Sequence, residues 1–153
     1  MIHLDVKPAN VLLGEEFEPA LADFGSARLT VRGTGVVTTA GSHAFRAPEV
    51  IAHKAFAKMQ HPNPYPVQAS ADIFSYGALL VCMVLRQSTP YDETLRASDV
   101  DRDVLSGVLR PCVDDRHPWC EIVAGCTDKR GSQRPTAREL MQKIDAVGRK
   151  YDW

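Results

Sequence analysis

The chain has 153 residues, 18 of them basic and 19 acidic, for a formal charge of −1. A chain of this length fits one domain that buries about 68–70% of its unfolded surface, and the absence of any long single-sign run argues against an electrostatic grip on nucleic acid or on a membrane surface. Cys82, Cys112, Cys120 and Cys126 form no C-x-x-C pair, no basic segment leads into an apolar stretch with a cleavage site, and the longest apolar run, Ala78 to Leu85, is far short of a membrane span; the expectation is a soluble protein of the cytoplasm.

In chain order, Val11-Leu12-Leu13 and Ala20-Leu21-Ala22 flank Gly14-Glu15-Glu16 and Pro19, which predicts a short antiparallel pair joined by a turn. Thr30 to Ser42 holds three glycines and four threonines without periodicity, the composition of a loop. Pro62, Pro64 and Pro66 predict a surface loop over residues 54–68. Ile73 to Leu85 is apolar on nearly every face and predicts a helix buried all round, with Met83, like Met141 in the last segment, as core filler. Ser98 to Gly107, with Val100, Val104 and Leu105, and Trp119 to Cys126, with Ile122, Val123 and Cys126, predict two short surface helices. In the last segment Ala137, Leu140, Met141, Ile144 and Val147 recur at helical spacing behind Thr136-Ala137-Arg138-Glu139, a capping box. No internal repeat and no second domain is evident.

Three motifs stand in one order: His3-Leu4-Asp5-Val6-Lys7-Pro8-Ala9-Asn10, then Asp23-Phe24-Gly25, then Ala47-Pro48-Glu49. Any one alone is weak, since aspartate and glycine around a phenylalanine is ordinary turn chemistry. Jointly they resemble the eukaryotic protein kinase pattern of H-R-D-x-K-x-x-N, D-F-G and A-P-E, with Leu4 in place of the arginine. The resemblance continues through Gly41 to Glu49, through Asp72-Ile73-Phe74-Ser75-Tyr76-Gly77 and through Arg134-Pro135-Thr136, so it covers nearly the whole chain. Gly107 to Pro111 and Cys126 resemble the tyrosine-kinase-like group of serine/threonine kinases.

The resemblance implies an α+β, mainly α-helical fold: the C-terminal lobe of a kinase, with a short β hairpin at the catalytic site and the N-terminal lobe absent. It divides 1–153 into a catalytic loop at 3–10, an activation segment at 23–49 and a helical subdomain at 70–148. It implies that Asp5 accepts the hydroxyl proton of a protein substrate, that Lys7 lies near the transferring phosphate, and that Asn10 and Asp23 hold Mg2+ against ATP. Ser42 takes the place of a hydroxyl residue bridging this site, and Ser42, Ala47, Pro48 and Glu49 belong to the loop that binds substrate. His3 and Asp72 are expected to orient the catalytic loop, and Arg134 to pair with Glu49. Arg28, Arg32 and Arg46 are expected on solvated surface, and His43, His53, His61 and His117 have no metal-ligand spacing.

Two departures bear on function. Leu4 removes the arginine that pairs with a phosphorylated activation loop, so phosphorylation of Thr34, Thr38 or Thr39 is not expected to be the main switch. The glycine-rich loop, the strand lysine with its helix glutamate, and the adenine hinge have no counterpart. The expectation is therefore a fragment or truncated gene product whose partners are a protein substrate and a missing N-terminal lobe or upstream chain. Its lineage is that of a serine/threonine kinase; the alternative is a non-catalytic pseudokinase or protein-binding module.

Overall fold

The computed structural model describes residues 1–29, 41–59 and 66–151. Two short strands, β1 (Val11–Leu13) and β2 (Pro19–Leu21), pair antiparallel with Val11 opposite Leu21 and Leu13 opposite Pro19. Among the described residues five α-helices follow: α1 (Pro48–Lys58), α2 (Ser70–Leu85), α3 (Ala97–Ser106), α4 (Cys120–Cys126) and α5 (Ala137–Tyr151). The architecture is the expected mainly helical one with a hairpin at its N-terminal end. Residues 30–40 of the expected activation segment, with Arg32, Thr34, Thr38 and Thr39, lie outside the described residues, as does His61.

Helix α2 is the scaffold. Its N-terminal half places Ala71 and Phe74 in a core with Ile2, Leu4, Ala47, Val50, Ile51, Val67, Tyr91, Val100 and Val104. Its C-terminal half places Leu80 and Val81 in a second core with Val113, Ile122, Val123, Cys126 and Leu140. Burying a side chain such as Phe74 contributes about 1.5–3 kcal/mol. Helices α2 and α4 cross closely because residue 77 is glycine: a Cβ there would lie 2.7 Å from Cys126 Cβ and 2.8 Å from Thr127 Cγ2. The buried Ser75 hydroxyl lies 2.7 Å from the Phe45 carbonyl, tying α2 to the turn ahead of α1. Among the described residues no helix is long and apolar enough to cross a membrane.

The helix pattern departs from expectation in two places. Residues 54–58, expected as loop, complete α1, which begins with Pro48 at its first position and Glu49 in its first turn. Proline there is pre-organised for a helix and an acidic side chain suits the helix dipole, so the start signal is present in the sequence. Helix α2 is not buried all round, because Met83 is 65% exposed and Leu85 44%. Met83 is therefore not core filler, and neither is Met141, at 66% exposed; Met141 sits one residue, or about 100°, beyond the buried Leu140. Helix α4 buries Ile122, Val123 and Cys126 on one face and leaves Glu121 exposed on the other. The capping box forms: the Thr136 amide donates to Glu139 Oε2 at 2.8 Å and the Glu139 amide donates to Thr136 Oγ1 at 3.3 Å.

Candidate active site

The hairpin brings two otherwise separate segments side by side. The Ala22 amide donates to the Asn10 carbonyl at 2.8 Å, and Ile2 and Arg28 exchange amide–carbonyl bonds at 2.9 and 2.8 Å. Residues 2–10 and 21–28 are thus joined at both ends, which sets the Asp23 turn beside the Asp5 loop. Asp23 itself adopts a left-handed backbone at φ 59°, and its Oδ1 accepts from the Gly25 amide at 3.2 Å. Aspartate tolerates that conformation because its short polar side chain bonds locally.

Asp72, in the first turn of α2, anchors the loop from below. Its Oδ2 accepts from the His3 amide at 2.7 Å and its Oδ1 from the Leu4 amide at 2.8 Å. Between these bonds Leu4 is held at φ 68°, a left-handed backbone that a bulky residue avoids. The Leu4 side chain is buried in the core, so the position that carries arginine in the family pattern is apolar here. Burial pushes the Asp72 carboxyl above its ordinary value, against the pull of the two amides. The His3 ring then links the loops. Its Nδ1 accepts from the Asp5 amide at 3.3 Å, its Nε2 faces the Ala22 carbonyl at 3.1 Å, and it packs edge-on against Phe24 with 4.8 Å between ring centres. With both partners fixed, Nδ1 is the acceptor and Nε2 the donor.

Asp5 is the hub. Its Oδ1 accepts from the Ser42 amide at 2.9 Å, and its Oδ2 accepts from Asn10 Nδ2 at 3.0 Å and lies 2.8 Å from Lys7 Nζ. Lys7 Nζ also donates to Ser42 Oγ at 2.8 Å. Burial alone would raise the Asp5 pKa, but the bonds from Lys7, Ser42 and Asn10, with the Lys7 charge, outweigh it and hold the carboxyl below its ordinary value. The group stays ionised and its orientation is locked.

Asn10 Nδ2 also donates to the Asp5 carbonyl at 2.8 Å. Two acceptors on one atom require the amide nitrogen there, which fixes the flip and leaves Oδ1 as the oxygen Asn10 can offer a ligand. Asp23 retains Oδ2 beyond its bond to Gly25. Two hard oxygens on facing loops suit magnesium, which takes one or two protein oxygens and completes its shell with phosphate and water. Among the described residues no group of three or more His, Cys, Asp and Glu side chains could hold a metal without such help.

Glu49 and Arg134 form a separate anchor. Arg134 Nη1 donates to Glu49 Oε1 at 2.6 Å and Nη2 to Oε2 at 2.9 Å, a bidentate pair. The guanidinium also donates to the carbonyls of Asp128, Ser70 and Lys129 and stacks on the Phe74 ring, 5.1 Å from its centre. Ala47 and Pro48, on the chain between Ser42 and this pair, are buried.

The structure therefore brings His3, Asp5, Lys7, Asn10, Ser42 and Asp72 into one hydrogen-bonded group. Asp23 joins it through backbone bonds of its neighbours, and Glu49 with Arg134 lies apart. One residue was misread from sequence: Arg46, expected on solvated surface, is only 8% exposed. The signal available was its place inside Ala44-Phe45-Arg46-Ala47-Pro48, a run of otherwise apolar residues.

The protein kinase domain family matches residues 1–144. A serine/threonine-protein kinase of Arabidopsis thaliana is 32% identical over 153 residues, 98% of this chain and 24% of that protein. The serine/threonine-protein kinase mos of Patiria pectinifera is 32% identical over 157 residues, 94% of this chain and 40% of that protein. A G-type lectin S-receptor-like serine/threonine-protein kinase of Arabidopsis thaliana is 30% identical over 169 residues, 96% of this chain and 19% of that protein. The chain spans less than half the length of each of these relatives.

Proposed function

This chain belongs to the protein kinase domain family, and from that premise we propose that it supplies the catalytic and substrate-binding part of a serine/threonine kinase, one that moves the γ-phosphate of ATP to a protein hydroxyl. The observation that carries the reading is the Asp5 hub: an ionised carboxylate bonded at once by Lys7, Asn10 and the Ser42 amide. A kinase needs little covalent chemistry from its side chains, so positioning and charge neutralisation carry the rate.

In this mechanism Asp5 accepts the proton of the attacking hydroxyl. Its two oxygens are already aimed, so little reorganisation is needed at the moment of transfer. Lys7, held between Asp5 and Ser42, presents its cation to the phosphate that is moving. Asn10 and Asp23 would hold Mg2+, which would neutralise charge on the ATP phosphates when bound. His3 and Asp72 keep the loop in its left-handed turn, and Glu49 with Arg134 anchors the end of the activation segment. The domain limits expected from sequence carry over to this proposal: catalytic loop 3–10, activation segment 23–49 and helical subdomain 70–148 of a partial kinase domain.

The sequence contains no glycine-rich phosphate loop and no strand lysine with a helix glutamate, so nothing in it grips adenine or shields the phosphates. We expect these 153 residues alone to transfer phosphate slowly or not at all, and to act with an N-terminal lobe in a cytoplasmic setting. A second reading, a non-catalytic binding module, is favoured by the exposed apolar side chains of Leu12, Leu13, Phe17, Leu21 and Phe24 near the site. Radiolabelled ATP separates the two. A protein that contains this chain should label serine or threonine of an acceptor protein in a Mg2+-dependent manner, and Asp23→Asn should abolish labelling. Label on no acceptor, under conditions where the protein is folded, refutes the enzyme reading and leaves the binding module.

A further inference from the structure

Arg46 is 8% exposed. Its Nη2 donates to the Gly41 carbonyl, and its Nη1 lies 3.8 Å from Asp101 Oδ2 on α3, an ion pair longer than a hydrogen bond. Among the described residues Arg46 Nε and Nη1, Asp101 Oδ1 and the Tyr91 hydroxyl are buried without a hydrogen-bond partner. A guanidinium taken out of water with two nitrogens unmet costs stability, and an apolar side chain would fill the same space at less cost. What the arginine gains in return is its bond to Gly41.

That carbonyl sits at a demanding place. Gly41 has φ 89°, and a Cβ there would come within 2.4 Å of the Leu4 carbonyl oxygen, so the backbone passes directly over the left-handed Leu4. The next residue is Ser42, whose amide donates to Asp5 Oδ1 and whose hydroxyl accepts from Lys7. The Gly41 peptide thus decides where both Ser42 groups point.

We propose that Arg46 is a positioning residue: it clamps the Gly41 carbonyl so that the Ser42 amide and hydroxyl meet Asp5 and Lys7, and Asp101 orients its guanidinium from α3. The significance of the clamp rests on the reading of Asp5 as the proton acceptor. The clamp itself is geometric and is tested without any activity measurement.

The test uses nuclear magnetic resonance on the 153-residue chain, following amide exchange at Ser42 and the carboxyl titration of Asp5. In Arg46→Met, Ser42 exchange should quicken at least tenfold and the Asp5 midpoint should move up, while amides of Phe74 and Val123 keep the parent's rates. Arg46→Lys, which keeps a cationic donor, should recover most of the Ser42 protection. Parental exchange and titration in a folded Arg46→Met would overturn the proposal. Should that variant fail to fold, Asp101→Asn is read by the same two signals: faster Ser42 exchange supports the clamp, and parental values overturn it. A failure of phosphate transfer bears on the kinase reading alone.

Discussion

Replacing Glu49 with alanine removes the one carboxylate that, among the described residues, meets Arg134, whose side chain is 0% exposed against 17% for Glu49. Breaking a buried pair by removing one partner costs about 3–5 kcal/mol, because the remaining charge is left uncompensated. Here the guanidinium keeps the carbonyls of Asp128, Ser70 and Lys129 and the face of Phe74, and Glu49 is partly solvated. The lower end, about 3 kcal/mol, is therefore the expected loss. For a domain of this size 1 kcal/mol moves the melting midpoint by about 2–4 °C, so Glu49→Ala should melt about 6–12 °C below the parent. Glu49→Gln, which keeps a neutral acceptor, should fall between the two. The assay is a thermal melt followed by circular dichroism, with Arg102→Ala alongside: Arg102 is 66% exposed in its pairs with Asp99 and Asp103, and its loss should leave the midpoint unmoved. A Glu49→Ala midpoint within about 1 °C of the parent would refute the argument that this pair anchors the fold.

Asp72→Ala should strand the His3 and Leu4 amides, at about 1–3 kcal/mol for each if it stays buried; Leu4 would then relax from its left-handed turn, so hydrogen exchange at these two amides should quicken by more than the loss of overall stability explains. Gly77→Ala should cost about 1–3 kcal/mol by forcing α2 and α4 apart, and an unchanged urea midpoint would contradict the close crossing. The two aspartates should respond to acid with opposite signs. Asp5 has a depressed carboxyl, so its contribution to stability is complete above the ordinary aspartate value of 3.8 and is lost only as pH falls through its lower folded value. Asp72 has a raised one, so its contribution is greatest below 3.8 and diminishes as pH rises through the folded value. Carboxyl resonances followed from pH 2 to 7 should show Asp5 titrating below Asp72, and the reverse order would contradict both environments.

Legibility in the sequence varied with the kind of physics involved. Helix α5 was readable because its apolar spacing and capping box are local, and the hairpin was readable because turn residues separate two short apolar runs. Helix α1 was missed although Pro48 and Glu49 announce its start, since the prolines at 62, 64 and 66 drew the loop boundary too early. Met83 and Met141 show the limit of composition: an apolar residue in an apolar stretch is still exposed when no neighbour packs on its side of the helix. At the site, the motifs named Asp5, Lys7, Asn10 and Ser42, but their hydrogen bonds depend on the left-handed turns at Leu4 and Gly41, which motif order does not express. The apolar run around Arg46 hints at its burial, but its bond to Gly41 is not legible for the same reason. That bond and the pairing with Asp101 arise from how the turn before α1 lies against α3, a tertiary relation that no spacing in the chain encodes.

The proposed role of Asp5 is to accept the proton during phosphate transfer. It is tested most directly by Asp5→Asn in the longest native protein containing this chain, with kcat and ATP affinity measured together. Asparagine keeps the shape and one acceptor but cannot take the proton. The expected result is a loss of about 10²–10⁴-fold in kcat with ATP affinity little changed. Parental kcat in Asp5→Asn, with the variant folded, would contradict it.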